Sequence, residues 1–130
     1  MKKSKGKEEI QRLPDTELAV MQAVWDSEQP VPRAELERLM AERHPMAQTT
    51  LLTRLADRGF VKIEKAGRGS VYTALVERTD YLAAQSRRFV DRLCGGNLSV
   101  FAAALCDSGL SSSDIEELRE LLKEKSHDEQ

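Results

Sequence analysis

Residues 47–75 read AQTTLLTRLADRGFVKIEKAGRGSVYTAL, and the spacing of their apolar residues changes halfway along. Up to Arg58 the apolar positions recur every three or four residues, which predicts an amphipathic helix over residues 47–58 that stops at Gly59. From Phe60 onward apolar and polar residues alternate on both sides of the segment KAGRG (65–69), which predicts a two-stranded hairpin with a basic tip.

Two shorter helical patterns precede this stretch. Residues 14–26 and 32–44 each place apolar residues on one helical face, and Pro45 predicts a break after the second. Three helices followed by a hairpin are typical of a winged helix-turn-helix, here over residues 13–78. In that arrangement the third helix enters the major groove of DNA.

The remaining sequence predicts helices only. One covers residues 80–93, Asn97 caps a second, and Ser111 with Asp114 forms an approximate capping box for a third. Residues 98–106, LSVFAAALC, are apolar nearly all round, so this helix must be buried on most sides. About fifty residues cover such helices poorly on their own. Either a second copy of the chain covers them, or they pack on the N-terminal unit.

The expected fold is therefore mainly α, a winged helix-turn-helix (three helices and a two-stranded wing) followed by a three-helix dimerisation domain over residues 79–126. The residues expected in the dimer interface are Leu82, Phe89, Leu93, Leu98, Phe101, Leu105, Ile115, Leu118, Leu121 and Leu122.

Charge is sorted along the chain, although its net value is only −2. Residues 46–79 hold six basic and three acidic side chains, whereas residues 13–45 hold three basic and seven acidic ones. Residues 1–12 hold five basic and two acidic side chains, and we expect a flexible arm there that either contacts phosphates or is simply solvated. The distribution favours DNA binding through the central segment.

Residues of the third helix and the hairpin tip supply the candidate DNA contacts. Short side chains such as Thr49 and Thr50 donate to bases or place a methyl group against thymine. Arg54 and Arg58 are positioned for flanking phosphates, and Arg68 for the adjacent backbone or minor groove. The full set of candidates is Met46, Gln48, Thr49, Thr50, Thr53, Arg54, Arg58 and Arg68.

Other classes of protein fit the sequence less well. No Ser/His/Asp grouping or phosphate-binding glycine loop indicates an enzyme, and no cofactor is expected. The two histidines and two cysteines have no metal-ligand spacing. No apolar run spans a bilayer and no secretory signal is present, so we expect a cytoplasmic protein without membrane insertion.

Several short motifs, in order and at characteristic spacing, resemble the penicillinase-repressor (BlaI/MecI/CopY) family of bacterial regulators. The resemblance covers about residues 13–125. Its motifs are LPDTELAVM (13–21), VW (24–25), TLLTRL (50–55), RG (58–59), GR (67–68) before Tyr72, LCGG (93–96), and LS (110–111) leading to IEELR (115–119).

The resemblance implies a homodimeric repressor of dyad-symmetric operators, induced through a membrane-bound β-lactam sensor whose signal leads to repressor proteolysis.

Three features depart from the family. The third helix begins with MAQ (46–48) instead of threonines and an apolar residue, and Gln48 is a candidate base reader or core residue. Ala104-Leu105 replaces the Asn-Phe bond at which the family is cleaved. The C-terminus lacks the cysteines of the copper-sensing branch.

Two alternatives remain open at this point. The first is a winged-helix module that binds other proteins, for which DNA affinity would not fall steeply with salt. The second is a redox-sensing repressor that uses Cys94 and Cys106. The more common role of free cysteines in such chains is that of small apolar core residues.

Overall fold

The computed structural model describes residues 10–128, and these form six helices and one small antiparallel sheet. The N-terminal elements are α1 (Asp15–Asp26), β1 (Val31–Pro32), α2 (Arg33–Leu39), α3 (Pro45–Asp57), β2 (Val61–Ala66) and β3 (Gly69–Ala74). Three helices follow, α4 (Arg78–Leu93), α5 (Leu98–Asp107) and α6 (Ser112–Asp128). A winged helix-turn-helix followed by three helices is thus confirmed. The first nine residues of the predicted arm lie outside the described residues.

The boundary between the second and third helices differs from the prediction. Helix α2 ends at Leu39 rather than His44, and residues 40–44 form the turn of the helix-turn-helix. His44 is extended (φ −60°, ψ 142°), as the residue before a proline prefers. Pro45 is the first residue of α3, since proline lacks the amide hydrogen that this position leaves unused. The third helix therefore begins two residues earlier than predicted.

The wing is a three-stranded sheet in the order β1-β3-β2, with Val31 and Ile63 both paired to Tyr72. The hairpin of β2 and β3 is confirmed, and its turn is tighter than predicted. Ala66 pairs with Gly69, and Gly67 at φ +64° opens the two-residue turn. The sequence did not predict β1, because two residues, one of them an edge proline, show no alternation.

The core of the N-terminal unit reaches beyond residues 13–78 at both ends. Ile10, which the sequence assigned to the flexible arm, is buried in this core. Tyr81, in the first turns of α4, packs against the rings of Trp25 and Phe60, and its hydroxyl accepts a hydrogen bond from the Leu13 amide at 2.9 Å. The boundary between the two compact units falls between Ser86 and Arg87.

The C-terminal unit is helical and leaves most of its apolar side chains accessible. The predicted caps are confirmed: Asn97 Oδ1 accepts from the amides of Ser99 and Val100 at 2.9 and 3.2 Å, and Ser111 and Asp114 exchange two hydrogen bonds of 3.0 Å. Phe89 meets Phe101 edge to face at 5.7 Å. Helices α5 and α6, both within the described part of the chain, contain no buried residue.

Among residues 10–128, no single helix combines the length and apolar composition of a membrane span. Only the pair α4 and α5, bent by 104° at the break between them, reaches that length and composition together.

Candidate nucleic-acid interface

Helix α3 has one buried face and one exposed face. The buried face consists of Gln48, Leu51, Leu52 and Leu55, as its apolar repeat predicts. On the other side Met46 is 75% exposed, and Thr49, Thr50, Thr53 and Arg54 are exposed as well. Five of the eight candidate contacts therefore lie together on one accessible surface, which we call the α3 outer face.

The hydroxyl groups of two threonines on this face are already used as donors. Thr49 Oγ1 donates to the Pro45 carbonyl at 3.1 Å, and Thr50 Oγ1 donates to the Met46 carbonyl at 3.0 Å. This bond to the preceding turn is common for helical threonines. In the chain without DNA, both hydroxyls are thus donors to the helix backbone, and their predicted role as donors to bases stays a prediction. What the two side chains offer outward is a methyl group and the oxygen lone pairs.

Gln48 is not on the α3 outer face, although the sequence placed it among the candidate DNA contacts. It is only 2% exposed. Its amide Nε2 donates to the carbonyls of Met40 and Arg43 at 2.9 and 3.1 Å, and its Oε1 accepts from Arg33 Nη2 at 3.2 Å. Because the side chain is fully engaged inside the protein, we withdraw Gln48 from the contacting set.

Arg58 also has a different environment from the one the sequence suggested. Its Nε lies 2.8 Å from Glu17 Oε1, and its Nη1 donates to Gln11 Oε1 at 3.3 Å. Glu17 is 2% exposed, and such a buried carboxylate needs a compensating positive charge. The charge of Arg58 is therefore used inside the protein, and we withdraw it as a phosphate contact.

Two other arginines remain available to a ligand. Arg54 on α3 and Arg68 in the wing turn are exposed, and neither has a side-chain partner among residues 10–128. The wing also carries Lys62, which pairs with Glu64 on the same strand at 3.6 Å. Arg54 and Arg68 are thus the candidate cations whose charge is free within the described chain.

Charge on the supporting helix α2 is largely paired. Arg38 donates two hydrogen bonds of 2.8 Å to the carboxylate of Glu35. These hydrogen bonds lower the pKa of Glu35 below its usual range.

Sequence reasoning missed Glu17 and Arg33 as functional positions of this unit. Glu17 shares the buried face of α1 with Val20, Met21 and Val24, at intervals of three, four and seven residues. The sequence did contain a signal for the burial of Glu17, because this charged residue lies within an apolar helical repeat. Arg33 gave no such signal, since its partners Pro45 and Gln48 lie on the next helix.

The predicted dimer residues are accessible in the single chain. Three of them are half-buried, namely Phe101, Leu105 and Leu118. The others are exposed, namely Leu82, Phe89, Leu93, Leu98, Ile115, Leu121 and Leu122.

The chain's cysteines and acidic groups form no metal centre in the part that is described. Cys94 is buried and Cys106 is exposed, and both are free thiols. Within residues 10–128, no three His, Cys, Asp or Glu side chains come together as a set of metal ligands.

Comparison with known proteins gives a consistent family. The chain is 34% identical to an uncharacterized 16.5 kDa protein of Latilactobacillus sakei over 121 residues, 91% of this chain and 83% of that protein. It is 30% identical to the penicillinase repressor of Bacillus licheniformis, covering 88% and 92% of the two chains. The methicillin resistance regulatory protein MecI of Mammaliicoccus sciuri is 28% identical, covering 87% and 94%.

The family model described as penicillinase repressor matches residues 13–124, which include the whole winged unit and most of α6. The motifs quoted from the sequence fall within this range. The chain belongs to the penicillinase repressor family.

Proposed function

We propose that the chain is a homodimeric transcriptional repressor that binds a dyad-symmetric DNA operator in the cytoplasm. The observation that carries the proposal is the α3 outer face, where short and apolar side chains are accessible beside one free arginine. The names of the relatives, penicillinase repressor and methicillin resistance regulatory protein, support a regulatory role rather than an enzymatic one.

The proposed contacts follow from the geometry of α3. In a winged helix-turn-helix this helix lies in the major groove, and its N-terminal residues meet base edges. Met46 and the methyl groups of Thr49 and Thr50 suit thymine methyl groups, and the threonine oxygens accept from adenine or cytosine amino groups. Arg54 and Arg68 then bind phosphates on either side, which fixes the position of the helix without reading sequence.

Dimerisation is proposed from the accessible apolar side chains of the C-terminal half. Helices α5 and α6 bury no residue in the single chain, yet α5 is apolar over nearly its whole length. Exposed apolar surface of this extent is typical of a protein interface. A second copy of the chain places two recognition helices about one DNA turn apart, ~34–36 Å, or at a multiple of that spacing.

Release of the operator is proposed to follow a proteolytic signal from a membrane sensor, as the family resemblance implies. Ala104 and Leu105, which take the place of the family's cleaved pair, both lie within α5. A protease needs extended backbone at the bond it cleaves, so this bond requires local unwinding of α5 first.

Selection from a random pool of duplex DNA tests the proposal. We expect the recovered fragments to share an inverted repeat with a constant spacing between its halves. Recovery of no motif, with weak binding throughout, would reject the repressor proposal and favour the alternative of a winged-helix module for protein contacts.

Arg54→Ala tests the proposed phosphate contact. Each phosphate neutralised by a side chain contributes about −0.9 to the slope of log K against log salt, because condensed counterions are released. We therefore expect the variant to bind all duplexes more weakly and the slope to become less steep by about 1. Arg119→Ala on α6, which removes an arginine paired with Glu116, is the control and should leave the slope unchanged. A loss confined to one base pair would show instead that Arg54 reads a base.

A further inference from the structure

We infer that the half-buried Arg33 and the buried Gln48 are positioning residues that set the place of the recognition helix, so that operator specificity depends on side chains that read no base. The inference rests on the proposed function. Arg33 and Gln48 together with the carbonyls of Met40, Arg43 and Pro45 are called the α2–α3 polar network below.

The network joins the end of α2, the turn and the start of α3. Gln48 Nε2 donates to Met40, the residue that ends α2, and to Arg43 in the turn, at 2.9 and 3.1 Å. Arg33 Nη2, from the first residue of α2, donates to Gln48 Oε1 at 3.2 Å and to the Pro45 carbonyl at 3.1 Å. One guanidinium and one amide therefore connect both ends of α2 to the first turn of α3.

The network adds side-chain donors to carbonyls of the turn, although the Met40 carbonyl also accepts from the Arg43 amide at 2.9 Å. The last carbonyls of a helix have no intrahelical donor, and a buried carbonyl without a partner is costly. The Gln48 amide donates to the Met40 and Arg43 carbonyls, whereas the buried Nε of Arg33 has no hydrogen-bond partner among the described residues. An apolar residue at position 48 would fill the same space but hold neither carbonyl.

The position of the first turn of α3 matters more for specific than for general DNA binding. Base contacts require side chains such as Met46 and Thr49 to be placed closely against base edges. Phosphate contacts through long arginines tolerate small displacements and dominate binding to random sequence. Loosening the network should therefore lower the ratio of operator affinity to random-duplex affinity, and change random-duplex affinity little.

The test uses the full chain, the duplex recovered by the selection described above and a random duplex of equal length. We expect Gln48→Leu and Arg33→Ala each to reduce the affinity ratio roughly tenfold, which is the size of the loss of one base contact. Because the two residues share one network, the double variant should lose no more than either single variant.

Two control variants separate positioning from stability and from charge. Val24→Ala removes apolar volume from the buried face of α1 and should lower the melting temperature without changing the ratio. Arg38→Ala removes an exposed arginine from the same helix as Arg33 and should also leave the ratio unchanged. Arg33→Lys keeps the charge, but its ammonium is one bond closer to the backbone than Nη2, which donates both hydrogen bonds, so it should reduce the ratio while the chain remains folded.

Hydrogen exchange in the free protein gives a readout without DNA. The amides of Arg43 and Gln48, which donate to the Met40 and His44 carbonyls, should exchange faster in both network variants than in Val24→Ala. Unchanged exchange at these amides would overturn the network itself. If the unaltered chain recovers an operator but all variants show the same ratio of operator to random-duplex affinity, the positioning role alone is wrong. If the unaltered chain recovers no motif, the proposed function is wrong, and the inference with it.

Discussion

Arg58→Ala is expected to lower the free energy of unfolding by about 3 kcal/mol, the lower end of the range for breaking a buried ion pair, since Arg58 keeps 36% of its side-chain surface exposed. The reason is that Glu17, on the buried face of α1, would retain a charge with no cation beside it. In a chain of this size the change corresponds to a fall in melting temperature of roughly 10 °C. Urea and thermal unfolding measure it directly.

The charge explanation has its own control. Glu17→Gln removes the carboxylate charge and keeps the size of the side chain. Combined with Arg58→Ala, it should recover part of the lost stability, because no uncompensated charge then remains buried. A double variant less stable than Arg58→Ala alone would show that packing of the arginine stem, rather than its charge, is what stabilises the unit.

Leu122→Asp is expected to convert the proposed dimer to monomers at micromolar concentration and to abolish tight binding to the proposed operator. Leu122 is 61% exposed in the single chain, so the substitution should leave the fold of one chain intact. In a two-fold dimer the substitution is present twice. A loss of association free energy of ~1.5 kcal/mol or more at each site weakens association by at least a hundredfold. A monomer also loses the advantage of binding two half-sites at once, a factor of about 10²–10⁴.

Sedimentation equilibrium measures the oligomeric state, and circular dichroism checks that helix content is retained. Lys123→Gln makes the same one-unit change in charge on α6, at a lysine that pairs with Glu120 at 3.6 Å, and should leave the assembly unchanged. If Leu122→Asp sediments like the unaltered protein, Leu122 lies outside the interface, and the proposed mode of dimerisation is wrong.

Much of the fold was predictable because its signals are local. The apolar repeat of α3, the glycine at the hairpin turn and the caps of α5 and α6 each depend on residues within one element. The end of α2 was predicted too late, since residues 41–44 (AERH) are compatible with a helix. Only the tertiary structure shows Gln48 bound to the carbonyls of Met40 and Arg43. Strand β1 was missed because only its pairing with Tyr72 and Val71 defines it.

The sequence predicted which kinds of residue the candidate site contains, but it named some individual residues that are not available there. Met46, the three threonines, Arg54 and Arg68 lie at exposed positions, as helical period and turn position indicated. Gln48 and Arg58 had the same polar character, yet both side chains are used inside the protein. Their partners are Arg33 and Glu17, which are distant in sequence from the residues they hold.

By itself, the sequence determined the order of the six helices and the hairpin, the buried face of α3, the basic wing and the family, because periodicity, capping and motif spacing are properties of short segments. Only the tertiary structure decided which of the polar candidate side chains are exposed and which are held by other parts of the fold. The physical reason is that burying a charge or an amide requires a partner, and here that partner comes from another helix.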